Sequence, residues 1–152
     1  MSRFRKAILF IISPFSMLAN KISWRAGRPY RSTFDQVRPV MHRLEPGMVI
    51  LSHKNYELTN VFINGYWTHV AMMGEGFIIE AVSRGVIRTP VDRFFSSVDD
   101  WMILDPVFCP PCSRQKAVAF MEQYIGYPYN FAFMPREDAF TCIDLICKAY
   151  NL

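Results

Sequence analysis

Apolar and polar residues alternate in short bursts through the middle of the chain, and only near its end does the spacing lengthen to that of a helix. Met48 to His53 is an apolar, β-branched run opened by the turn Glu45-Pro46-Gly47, and it reads as a strand. Leu58, Val61 and Phe62 then recur at helical spacing for barely one turn, in a loop ending at Asn64-Gly65. The most regular unit follows: WTHVAMM, the tip Gly74-Glu75-Gly76, then FIIEAV, which together spell a β-hairpin. Further strands are predicted at Gly85 to Arg88 and at Trp101 to Leu104. After Pro110-Pro111, Ser113 suits the N-cap of a helix whose Ala117, Phe120, Met121 and Tyr124 share one face before Gly126 stops it. A loop over 127–138 leads to a last helix, and the chain stops ten residues past Cys142, so either that helix is expected to be short or the sequence is truncated. Antiparallel strands followed by two helices make an α+β order, and fold class alone decides no function.

At 152 residues, 51% of them hydrophobic, the chain has the size of one domain and excludes general disorder. The net charge of +4 is split unevenly. Residues 1–43 hold nine Lys/Arg against Asp35, or +8, and residues 44–152 hold eight against twelve acids, or −4. The expected organisation is a basic, partly hydrophobic arm over 1–43, irregular from Trp24 onward, and a folded domain over 44–152. Such an arm suits an anionic membrane surface, and the absence of any nucleic-acid motif argues against a nucleic-acid partner. Within the arm, three basic residues precede an apolar run from Ala7 to Ala19 that is short for a span and contains Pro14. Three readings stay open: an uncleaved membrane anchor, a cleaved signal with a poor cleavage site, and a core-packing helix. The corresponding location is membrane-associated or exported, with the cytoplasmic face also open.

Cysteines at 109, 112, 142 and 147 are too few for a disulfide framework. The pair in Cys109-Pro-Pro-Cys112 has redox or half-zinc spacing, but two prolines predict a stiff turn in place of the helix opening that redox pairs favour. Cys142 and Cys147, five apart on a helix, diverge and do not form a metal-ligand pair. No metal and no cofactor is expected.

Cys142 is different from the others. Thr141 can cap the last helix with Asp144 as capping-box partner, which puts Cys142 at the first helical position, where free N–H groups and the helix dipole favour a thiolate. Its alternative is a buried thiol, the reading that Cys147 receives. A thiolate nucleophile needs a histidine base. His69 lies within an apolar strand, whereas His53 ends a strand and His42 lies in the basic linker, so both of these read as solvated. Glu80, amid Phe77, Ile78, Ile79 and Ala81, is a second ionisable group in an apolar strand. With a two-residue turn Glu75-Gly76, opposed residues sum to 151, so Glu80 faces Ala71 and shares a sheet face with His69. A four-residue loop also keeps them together, while a three-residue loop separates them. On one face the carboxylate can fix the imidazole's tautomer and orientation; a merely structural His–Glu pair is the alternative.

GMVILSH, WTHVAMMGEGFIIEAVSRGV, YIGYPYNF and FTCIDLI, in that order, resemble the permuted branch of the NlpC/P60 papain-like superfamily, the YiiX/YebB-like proteins, over about residues 45–151. The resemblance implies a circularly permuted papain-like fold, an antiparallel sheet or small barrel against helices. It also implies Cys142 as nucleophile, His69 as base and Glu80 as the orienting third member. Gly126-Tyr127-Pro128-Tyr129 matches the family's Gly-x-Pro-Tyr signature, which implies that Tyr129 helps bind the oxyanion; by itself it reads as a loop aromatic on the core. Ile143 departs from the small residue that usually follows the nucleophile and is expected to crowd the site. The implied activity is a thiol hydrolase or acyltransferase working on an amide or ester of a lipid-linked or cell-wall peptide substrate. A catalytically inactive papain-like module binding lipid or peptide at a membrane is the alternative.

Overall fold

A computed structural model describes residues 27–57, 65–107, 111–133 and 136–151. The apolar run at 7–19, the apolar loop residues 58–63 and Cys109 lie outside the described residues. Five strands, β1 (Val49–His53), β2 (His69–Met73), β3 (Phe77–Val82), β4 (Gly85–Pro90) and β5 (Asp100–Leu104), form one open antiparallel sheet in the order β4-β3-β2-β1-β5. The helices are α1 (Phe34–Val37), continued by a 3-10 helix over Arg38–Arg43, then α2 (Val91–Phe95), α3 (Pro111–Gln123) and α4 (Cys142–Tyr150). This is the α+β arrangement expected, with the antiparallel sheet open and not closed into a barrel.

Alternation along the strands creates two separate cores. On one face Val70, Met72, Ile79, Ala81 and Val86 pack under Ala117, Val118 and Met121 of α3 and Leu145 and Ile146 of α4. On the other, Ile50, Ala71, Met73 and Ile78 meet Val37 of α1 and Val91, Phe94 and Phe95 of α2. Each fully buried large side chain contributes roughly 1.5–3 kcal/mol. Val37 is 0% exposed, so the segment expected to be an irregular linker over 24–43 is helical over its last ten residues and packed against the sheet. Short helices of this kind have too few turns to print a period in the sequence, and their burial is what holds them.

Two details position the site. The turn at Glu75-Gly76, where Gly76 takes φ +78, sets Ala71 opposite Glu80, the register expected for two central residues. Pairing between β2 and β3 then stops at Ala71–Glu80, although β3 runs on to Val82. Gly74 N–H donates to Phe77 O, which makes every second pair a hydrogen-bonded one and assigns the N–H of Val70 to Ala81 had the ladder continued. The strands part there instead.

The first core also departs from expectation, at the start of α3. The helix begins at Pro111, two residues before the N-cap expected at Ser113, which suits proline's fixed φ in a first turn. Cys112 therefore lies in a helical first turn, so the helix opening judged missing from this motif is present.

Candidate active site

His69 opens β2, two residues later than the start expected at Trp67, and so stands where β2 and β3 separate. Its Nε2 meets Glu80 Oε2 at 2.8 Å, and its ring hydrogen-bonds the Cys142 thiol. With Nε2 taken by the carboxylate, Nδ1 is the ring nitrogen left for the sulfur. Phe94 closes the imidazole's outer side, ring centroids 6.4 Å apart.

α4 supplies the sulfur. Thr141 Oγ1 accepts from Asp144 N–H at 3.2 Å, while Asp144 Oδ2 accepts from Thr141 N–H at 3.3 Å, a complete capping box. Thr141 Oγ1 also donates to Asp144 Oδ2 at 2.7 Å, pinning the two side chains together. Cys142 is thus the first residue of the helix, with its sulfur close to the backbone N–H groups of Val70 and Ile143. The gap between β2 and β3 explains how a helix packed on one face of the sheet reaches a histidine directed to the other. The thiol enters where the ladder is interrupted and takes the N–H that Ala81 would otherwise accept. At its far end α4 is tied down by Tyr150, whose hydroxyl donates to Gly47 O.

The electrostatics follow from these contacts. For His69, burial alone disfavours the imidazolium, but hydrogen bonds to Cys142 and Glu80 and the two negative charges outweigh it and raise the pKa to about 9. For Cys142, burial pushes the thiol up, and the hydrogen bond and charge of His69, helped by the Val70 and Ile143 N–H groups, bring it below its ordinary value. For Glu80, burial likewise raises the carboxyl, and His69, the Thr89 hydroxyl and the charge of Lys54 hold it below 4.5. All three shifts point to one ion pair, a thiolate against an imidazolium backed by a carboxylate.

Tyr129 sits on the loop 127–133, bridged to Phe140 just before α4. Burial, then the negative charges of Cys142 and Asp144, push its phenol up, so it stays a neutral O–H donor near the sulfur. The loop is held by two bonds to β4, Val86 N–H to Tyr127 O at 2.8 Å and Gly126 N–H to Val86 O at 2.9 Å. Ile143 is 55% exposed and points to solvent, so the residue expected to crowd the thiol forms an apolar rim to it.

The four residues singled out from the sequence, Cys142, His69, Glu80 and Tyr129, therefore gather in one place. His42 lies in the 3-10 helix and is exposed. His53 is not the solvated residue expected: it stacks on Tyr66 at 4.6 Å, with Nδ1 buried and lacking a hydrogen-bond partner among the described residues. Sequence reading missed Thr89, whose hydroxyl donates to Glu80 Oε1 at 2.5 Å. Its signal was present, since a two-residue turn at Ser83-Arg84 places Thr89 opposite Ile78 and on the face of Glu80.

A family model described as "permuted papain-like amidase enzyme, YaeF/YiiX, C92 family" matches residues 43–152. No curated protein matches the chain. Among solved structures, the crystal structure of a protein described as metalloprotein yiiX from Escherichia coli O157:H7 is similar, with a TM-score of 0.61 at 19% identity. The likeness covers 70% of this chain and 64% of that one, so this chain spans less than two thirds of that protein, and at such identity the likeness concerns the fold. Among the described residues of this chain no group of three His, Cys, Asp or Glu is placed to hold a metal ion, and no helix is long and apolar enough to cross a membrane.

Proposed function

Because the chain belongs to the permuted papain-like amidase family, we propose that it cleaves an amide or ester through a thioester on Cys142, with His69 as base and Glu80 as the group that orients it. The observation that supports this most directly is the imidazole held between a carboxylate at 2.8 Å and the thiol at the head of α4. The thiol proton passes to His69 and the sulfur attacks the carbonyl carbon. The oxyanion that forms is received by the N–H of Cys142 and the hydroxyl of Tyr129, both donors that carry no charge of their own. Collapse of the intermediate breaks the C–N or C–O bond, and the imidazolium gives its proton to the departing amine or alcohol. Water then attacks the thioester as His69 takes its proton, releasing the acid and restoring the thiolate. An alcohol or amine in place of water makes the same cycle an acyl transfer.

Ile143 at 55% exposure, and Phe133 at 59% exposure packed edge-on to Tyr129, favour a substrate with an apolar acyl or peptidyl group. Attraction of the basic arm to an anionic membrane belongs to the same proposal and rests on the arm's charge of +8.

Alkylation by iodoacetamide, read by peptide mass spectrometry from pH 5 to 9, tests the reading with an internal reference, because Cys147 lies in the same helix without the capped position. Cys142 is expected to label well below pH 8 and to lose this in His69→Ala. Labelling of Cys142 as slow as that of Cys147 would refute the nucleophile and favour a binding module without catalysis.

A further inference from the structure

Glu80 is a buried carboxylate with two oxygens and two different tasks. Oε2 meets the imidazole, and Oε1 accepts the Thr89 hydroxyl at 2.5 Å. The torsion that turns a glutamate's carboxylate is soft and two-fold, so burial alone does not select the orientation in which Oε2 faces His69. Thr89 does select it. Its χ1 is restricted by β-branching, β4 is pinned to β3 from Phe77–Pro90 to Val82–Gly85, and the side chain is itself buried. We propose that Thr89 is a positioning residue of this site: its hydroxyl clamps Glu80 so that the carboxylate stays ionised and directed at His69, and through His69 sustains the reactive sulfur. The inference rests on the reading of Cys142 as nucleophile.

The choice of a hydroxyl fits the charges around it. Glu80 is faced by His69 from β2, by the charge of Lys54 just beyond β1, and by Thr89 from β4, with Cys142 reached through the imidazole. A second close cation at Oε1 would compete with the imidazolium for the same carboxylate. A neutral donor satisfies the buried oxygen and leaves His69 as its hydrogen-bonded cation.

The test is the pH profile of Cys142 alkylation in the full chain. In Thr89→Val the shape is kept and the donor lost, so Glu80 protonates at higher pH, the imidazolium loses its partner and the thiolate forms later. The acid limb is expected to rise by about one pH unit, a roughly tenfold slower reaction at any pH on that limb. Thr89→Ser, which restores the hydroxyl without the methyl, is expected to recover most of the loss. A structural role alone would lower the melting temperature without moving the limb. The proposal is overturned if Thr89→Val keeps the wild-type profile, or if Thr89→Ser behaves as Val does. If Thr89→Val fails to fold, Thr89→Ala carries the same comparison against Ser. If wild-type Cys142 labels like an ordinary thiol, the nucleophile reading falls and this inference falls with it, whereas a normal wild-type profile with an unmoved variant sinks this inference alone.

Discussion

Replacing Glu80 by Gln keeps the volume of the side chain and removes its charge, so it isolates what the carboxylate does for His69. The rise of His69 from 6.5 to about 9 is a net of burial against two partners, Cys142 and Glu80. At 1.36 kcal/mol per pH unit that net is roughly 3 kcal/mol, and the carboxylate's part is on the order of 1.5–2 kcal/mol, in the range of one hydrogen bond to a charged group. In Glu80→Gln the imidazolium should therefore deprotonate near pH 8 in place of about 9, a drop of roughly one unit, with kcat/KM lower by about ten- to thirtyfold. Hydrolysis of a p-nitrophenyl ester from pH 5 to 10 reads both, the alkaline limb reporting His69 and the plateau the loss. His53→Ala, a change in the histidine that stacks on Tyr66, is the matched control and should move neither. Stability provides a second reading with a definite window. Below 6.5 the raised pKa of His69 contributes its full stabilisation, which fades as pH rises through about 9. The lowered Glu80 contributes above 4.5 and fades as pH falls. The wild-type advantage over Gln should be widest between these limits, from about 4.5 to 6.5. An unmoved alkaline limb, with kcat/KM within about twofold of wild type, would refute the assignment of Glu80.

Thr141→Ala removes the hydroxyl half of the cap on α4, leaving Asp144 Oδ2 on the backbone N–H of residue 141, and should cost about 1 kcal/mol, lowering the melting temperature by a few degrees in thermal circular dichroism. Gly85→Ala puts a Cβ 2.4 Å from Tyr127 O at φ +107, and backbone on both sides leaves little room to yield. It should cost about 2 kcal/mol or more and displace the loop bearing Tyr129. Ester hydrolysis is expected to fall while Cys142 alkylation stays intact, and equal losses in both assays would remove Tyr129 from the oxyanion role.

The parts of this site that could be read from the sequence are those set by local counting. The parity of a two-residue turn put Glu80 across from Ala71, and Thr141 with Asp144 announced the start of α4, because both depend on residues a few positions apart. The same parity at Ser83-Arg84 was available for Thr89 and went unused. Other features depend on docking between distant segments. Val37 and Phe94 are core residues in helices of four and five residues, which carry no usable period and are stabilised by the sheet they cover. Nor does any local pattern announce that the β2–β3 ladder ends after Ala71–Glu80, since β3 itself continues in good β-forming residues to Val82.

That interruption also couples the chemistry to the backbone. The Val70 amide meets the Cys142 sulfur and not a carbonyl, and in the proposed cycle that sulfur gives up its negative charge when it carries an acyl group. Each acylation should therefore slacken one amide in the centre of the sheet and each deacylation tighten it again. Solvent-exchange protection at that single N–H would then report, from inside the fold, whether the enzyme is loaded or at rest.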